Sequence, residues 1–233
     1  MINEFLSWEP VPPRTARALA DTSARLCRFL RDEVSEHLSN GSPALNALAS
    51  DWRTLLFPDA SDEQFADGYA QTVTFGLLLA RACDIPLDKG GLVQAAKQLG
   101  QTHSLIGTAL RVLTDQVEEE RALKTSIDTL TRVLDVVDWH RISRDKPDAW
   151  LYFYEDFLAV YDNALRKQTG SYYTPPQVVG SMVRMVDEVL RERFGQYAGL
   201  ASPAVTIADP AMGTGTFVLG ILRHIAATIE ADQ

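Results

Sequence analysis

Ala204–Ile229, AVTIADPAMGTGTFVLGILRHIAATI, is the stretch that decides how the chain is read. Val205 and Ile207 alternate with smaller or polar neighbours, the pattern of a short β-strand. Asp209-Pro210 ends that run, and Gly213-Thr214-Gly215-Thr216 follows as a loop. From Phe217 the period becomes helical, with Val218, Ile221, Leu222, Ile225 and Ile229 on one face. Strand, glycine loop and helix together form the architecture of a nucleotide-type site. Glycines admit a ligand close to the backbone, and a helix start offers free N–H groups. Val218 stands where a dinucleotide fingerprint has its third glycine, which argues against a plain dinucleotide site. Taken alone, the glycines serve a tight turn between a strand and a helix equally well.

Upstream of this stretch every apolar stripe has helical period. Ala16, Leu19, Ala20, Leu26, Cys27, Leu30, Val34 and Leu38 predict one helix, stopped at Asn40-Gly41. Ser42-Pro43 restarts the chain, with Ser42 as N-cap and Pro43 at the first helical position, before Leu45, Leu48, Trp52 and Leu55. Ser61 and Gln64 have capping-box spacing ahead of a long helix through Phe65, Tyr69, Val73, Gly76, Leu77 and Ala80. A loop over 84–91 precedes further helices, one through Leu105 to Leu113 and one through Leu123 to Val137. Residues 140–147 read as a loop, and 149–167 as an aromatic-rich helix. Its aromatics could stack on bases, but Glu155, Asp156 and Asp162 favour packing against the bundle. Thr174-Pro175-Pro176-Gln177 has capping-box spacing again, before a helix burying Val178, Val179, Met182, Val183, Val186, Val189 and Leu190. The predicted fold is therefore mainly α: a helical domain over 1–167, then a strand–loop–helix unit within 168–233.

Bulk properties exclude several classes. Of 233 residues, 46% are hydrophobic and 23% charged, as in ordinary globular chains. The net charge of −9 is not the footprint of a chain that grips nucleic acid with its whole surface. Cys27 and Cys83 make neither a disulfide framework nor a zinc spacing, and are compatible with a reducing cytoplasm. The histidines are scattered, so no metal is predicted. The most apolar run, 75–80, is too short to span a bilayer, and the acidic, proline-rich start is no secretory signal.

Asp209-Pro210-Ala211-Met212-Gly213-Thr214-Gly215-Thr216-Phe217 resembles the cofactor loop of N6-adenine DNA methyltransferases, in the branch of type I modification subunits and single-chain restriction–modification enzymes. Thr169-Gly170-Ser171-Tyr172-Tyr173-Thr174-Pro175-Pro176 resembles the motif that precedes the catalytic domain in that branch. A weaker likeness, in Asp67-Gly68-Tyr69-Ala70-Gln71-Thr72-Val73, is to the helical region before the methylase of large single-chain restriction enzymes. The two main motifs cover about the last third of the chain, in the family's order.

The resemblance implies a Rossmann-like α/β methyltransferase domain, of which this chain holds the first strand, loop and helix. It implies S-adenosylmethionine as cofactor, with the loop of Tyr172, Tyr173, Thr174 and Pro175 folded over it. It gives Asp209 the cofactor's cationic amino group, and Pro210, Ala211, Gly213, Gly215 and Thr216 the rest of the cradle. Phe217 belongs to the core by its helical position, and the resemblance adds it to the cofactor loop. The Asn/Asp-Pro-Pro-Tyr/Phe motif with which this family holds a flipped adenine does not occur in the chain. The ribose-binding carboxylate, by the usual spacing, falls beyond Gln233.

The chain therefore reads as a truncated part, or a split subunit, of a cytoplasmic DNA adenine methyltransferase of a restriction–modification or phage-defence system. It carries no catalytic residue of its own and is expected to be inactive alone. Its expected partners are DNA, contacted through parts of the parent protein outside this chain, and restriction or specificity subunits. Two alternatives stand beside this reading: a non-catalytic helical coupling module of such a system, and a methyltransferase acting on RNA or protein.

Overall fold

The structure is a computed structural model that describes residues 11–55, 57–88, 90–115, 123–144, 149–162, 174–213 and 215–231. The chain divides into two compact units, Met1–Asp162 and Asn163–Gln233. The first contains α1 (Ala16–Ser39), α2 (Pro43–Leu55), α3 (Asp62–Ala82), α4 (Gly91–Thr102), α5 (Ser104–Asp115), α6 (Lys124–Asp135), α7 (Trp139–Ser143) and α8 (Ala149–Tyr161). The second contains α9 (Pro176–Phe194), a 3-10 turn at Gly199–Ala201, and α10 (Thr216–Ala231).

In the first unit, α1 is the central rod. Its stripe of Leu19, Ala20, Ala24, Cys27, Leu30 and Val34 is fully buried, packed on α3, α6 and α8. Local sequence sets the helix starts. Thr15 caps α1 by accepting from the Ala18 N–H at 3.1 Å. Ser42 accepts from the Leu45 N–H at 3.3 Å, and Ser61 and Gln64 form the reciprocal capping box before α3. The region read as a loop over 140–147 begins instead with α7, because Asp138 accepts from the Arg141 N–H at 2.9 Å and nucleates a turn. The side chains of Leu55, Leu105 and Tyr152, and the predicted continuation of α8 to 167, lie outside the described residues.

The aromatics of α8 pack rather than await a ligand. Trp150 stacks on Trp139 with ring centroids 4.0 Å apart, and Phe153 and Phe157 are fully buried against Phe75. Tyr161 donates to Asp67, whose other carboxylate oxygen accepts from Gln71 at 2.8 Å. Thus Asp67, from the weaker of the matched motifs, anchors the end of α8 to α3. Arg28 donates to the Val160 and Tyr161 carbonyls, so α1 supplies a cation to the carbonyl end of α8.

The second unit has a small core. Val179, Val183 and Leu200 are buried, with Leu190, Phe217, Ile221 and Ile225 packed beside them. The expectation that α9 would also bury Val178, Met182, Val186 and Val189 does not hold: they are 46%, 45%, 46% and 38% exposed. The apolar stripe of α9 is wider than the surface that α10 and the 3-10 turn offer it. The run predicted as a strand, around Val205 and Ile207, has no regular secondary structure, and no strand occurs among the described residues. A strand exists only as one side of a hydrogen-bonded ladder. Here the Val205 N–H donates locally, to Ser202 O at 3.0 Å.

Candidate cofactor site

Helices α9 and α10 each begin at a loop that the sequence singles out. Gly220 lies against α9: a Cβ there would stand 2.6 Å from Val179 Cγ1 and 3.7 Å from Val183 Cγ2. One turn on, His224 Nε2 is 3.3 Å from Asp187 Oδ2. Advancing along α9 from Val183 to Asp187 therefore matches advancing along α10 from Gly220 to His224, so the two helices run parallel. Val179 and Gly220 each sit about one turn, roughly 5 Å, inside their helix. The two helix starts accordingly lie at the same end of the pair. Thr174 and Pro175 lead into one, and Gly215 and Thr216 lead into the other.

The glycine loop is held by short-range bonds. Asp209 Oδ1 accepts from the Ala211 N–H at 3.2 Å, a turn closed by its own side chain. The Gly215 N–H donates to Met212 O at 2.9 Å, and the Leu219 N–H to Gly215 O at 2.9 Å, which starts α10. Gly213 and Gly215 have φ of +56° and +79°, a region L side chains rarely enter. Among the described residues, nothing lies within 4 Å of where a Gly215 side chain would be. Pro210, Ala211 and Gly213 are exposed, while Asp209, Gly215, Thr216 and Phe217 are half-buried. Phe217 packs against the Val179–Val183–Leu200 core, as its helical position predicts.

Of the upstream motif, Thr174 is half-buried and Pro175 exposed, while Tyr172 and Tyr173 lie outside the described residues. The expected capping box at Thr174 does not form. Helix α9 starts one residue later, with Pro175 as a cap that makes no side-chain hydrogen bond and Pro176 at the first helical position. Two successive prolines fix this: the second has no N–H to satisfy, so it opens the helix.

The residue that fixes the unit was missed in the sequence. Asp187 is 6% exposed. Its Oδ1 accepts from the Leu200 N–H at 2.7 Å and its Oδ2 from Arg191 Nε at 2.7 Å, beside His224. Arg191 also donates to the Tyr197 carbonyl. Burial pushes the Asp187 carboxyl up, but Arg191, the Leu200 N–H and His224 outweigh it and hold the group below the usual carboxylate range. Gly199, at φ +57°, makes room, since a Cβ there would stand 2.0 Å from Asp187 Oδ1. The signal was available: Val179, Val183 and Asp187 recur every four residues along one stripe of α9. Among the described residues no group of three His, Cys, Asp or Glu is placed to hold a metal ion, and no helix is long and apolar enough to cross a membrane.

Residues 146–233 match the model of the N-6 DNA Methylase family. Among solved structures the chain is similar to "ATP-dependent Type ISP restriction-modification enzyme LlaBIII bound to DNA", with a TM-score of 0.58 and 20% sequence identity over 93% of this chain. At that identity the likeness is one of fold. The chain spans 14% of that protein's length. No curated protein sequence matches the chain.

Proposed function

We propose that the chain supplies the cofactor loop of an S-adenosylmethionine-dependent DNA adenine-N6 methyltransferase of a restriction–modification system, behind a helical domain. The observation that carries this reading is the parallel α9–α10 pair, which brings Thr174–Pro175 and Gly215–Thr216, the residues that lead into the two helices, to one end of the pair. The match of residues 146–233 to the N-6 DNA Methylase family supports the chemistry.

The residues present suit the cofactor. S-adenosylmethionine is elongated and carries a carboxylate, an ammonium and a sulfonium. Asp209 offers a half-buried carboxylate for the ammonium, and the start of α10 offers N–H groups to the carboxylate. The open space at Gly215 lets the ligand lie on the backbone. The cofactor, when bound, supplies the methyl group on its sulfonium. This chain's part is to hold and orient it. The element that would grip adenine is absent from the sequence, so the 233-residue chain on its own is expected not to methylate DNA. The apolar faces of α9 and α10 left in solvent, among them Met182, Met185 and Leu222, are the surfaces such a domain's sheet would cover.

Ultraviolet cross-linking of methyl-labelled cofactor to the complete gene product, followed by tryptic mapping, tests the reading. Label is expected in the peptides spanning 168–184 and 194–223. Label confined to other peptides would refute it.

A further inference from the structure

The bonds that close the Asp209–Thr216 loop are short-range: Asp209 Oδ1 accepts from the Ala211 N–H, and the Gly215 N–H donates to Met212 O. Bonds of that kind shape a loop without placing it, so its flanks set where it lies. Both flanks lead to one carboxylate. Upstream, the chain comes from the 3-10 turn, where the Leu200 N–H donates to Asp187 Oδ1 at 2.7 Å. The Ser202 carbonyl then accepts from the Val205 N–H at 3.0 Å, which ties the exit of the turn to the run that reaches Asp209. Downstream, the loop passes into α10, where His224, about two turns in, sets its Nε2 3.3 Å from Asp187 Oδ2. Asp187 itself stands on α9, the helix that begins after Thr174–Pro175.

We infer that Asp187 is the positioning residue of the cofactor loop. By holding the turn before the loop and the helix after it, it sets the loop's place relative to the start of α9. The carboxylate is 6% exposed, and Arg191 Nε donates to its Oδ2 at 2.7 Å from within α9. Charge-assisted bonds to a group so far out of water are strong, and a donor left unmet there is costly. Asp187 acts through Leu200 and His224 rather than by contact with a ligand. The inference rests on reading the Asp209–Thr216 loop as the methyl-donor site; the geometry around Asp187 does not.

Steady-state methyl transfer by the complete gene product, with S-adenosylmethionine varied, tests it. Asp187→Asn keeps the shape but has one acceptor oxygen in place of two, so either the Leu200 N–H or the Arg191–His224 side meets an N–H. A displaced loop weakens cofactor binding, so KM for S-adenosylmethionine is expected to rise at least about tenfold while kcat stays within about threefold. Loss of folded protein does the reverse: it lowers the active fraction, and with it the apparent kcat, and leaves KM alone. Val183→Ala, which loosens the same small core without removing a bond to Asp187, should therefore keep the wild-type KM. His224→Leu, which retains the carboxylate and its bonds to Arg191 and Leu200, should raise KM by a smaller factor. His224→Gln, which returns an N–H close to the place of Nε2, should restore it, and this pair decides the question if Asp187→Asn fails to fold. An unmoved KM in Asp187→Asn or His224→Leu, an equal rise in Val183→Ala, or no recovery in His224→Gln would each overturn the proposal. Cofactor cross-linking separates the two readings. An unmoved KM with label still in the 194–223 peptide sinks the role of Asp187 alone, whereas label mapped elsewhere sinks the cofactor site and this proposal together.

Discussion

At the scale of single residues, two buried polar groups set measurable chemistry. Cys27 is fully buried, and burial pushes its thiol up to about 12, against the opposing hydrogen bonds of Thr74 and Tyr161. Cys83 is exposed, with Sγ 3.6 Å from His103 Nε2. A thiol reagent at neutral pH is therefore expected to modify one cysteine in the folded chain and the second only in denaturant. Fast release of two equivalents from folded protein would contradict that. Asp187 gives a pH dependence. Its folded carboxyl titrates below the ordinary value near 4, so its contribution is present above pH ~4 and is lost as pH falls through the folded value. Asp187→Asn should lower the unfolding midpoint of the second unit at pH 7 and flatten its acid dependence. An unchanged acid limb would show that another group carries it. Leu200→Ala, which keeps the N–H bond but empties the small core, should weaken the unit at every pH alike.

At the scale of elements, the helices of the first unit were legible because propensity, caps and apolar period agree there. Ser61 and Gln64 form the box their spacing predicts, and Asn40-Gly41 ends α1 where expected. The short α7 escaped because five residues carry too little period to read. The strand at Val205–Ile207 was misjudged for a different reason. Alternation describes a surface that suits a ladder, and the ladder needs a second strand. The buried face of α9 was equally hidden, since which part of a wide stripe is covered depends on neighbours and not on the stripe. Met182→Ala, at an exposed position, should therefore change stability by less than about 0.5 kcal/mol, while Val183→Ala costs about 1–3 kcal/mol. Equal losses in thermal unfolding would mean that α9 buries a different face. The glycine crossing of α4 and α5 is a second element-scale test. Gly107→Ala forces a methyl onto the Gly100 backbone, which cannot rotate away, and should cost about 1–3 kcal/mol or more. Gly100→Ala, whose Cβ meets nothing within 4 Å, should be tolerated.

At the scale of the whole molecule, the two units differ in kind. The first closes a continuous core from Leu19 to Tyr161. Among its described residues the second buries three apolar side chains and leaves much of α9 and α10 in solvent. The glycine turn was legible in the sequence because such a turn needs its residue types in fixed order, and positive φ at Gly213 and Gly215 is the physical reason. What the sequence did not reveal is how α9, the 3-10 turn and α10 are joined, since Asp187, Gly199 and Gly220 act through partners distant in the chain. The account's central claim is that the Asp209–Thr216 loop cradles the methyl donor for adenine methylation. The most direct measurement is transfer of labelled methyl from S-adenosylmethionine to adenine N6 of mixed-sequence DNA by the complete gene product, compared with its Gly215→Val variant. Incorporation by the wild type, falling at least about a hundredfold in the variant while folding is retained, is the result expected of a side chain placed in the cofactor's space. Undiminished incorporation by Gly215→Val, or none by the wild type, would contradict the account.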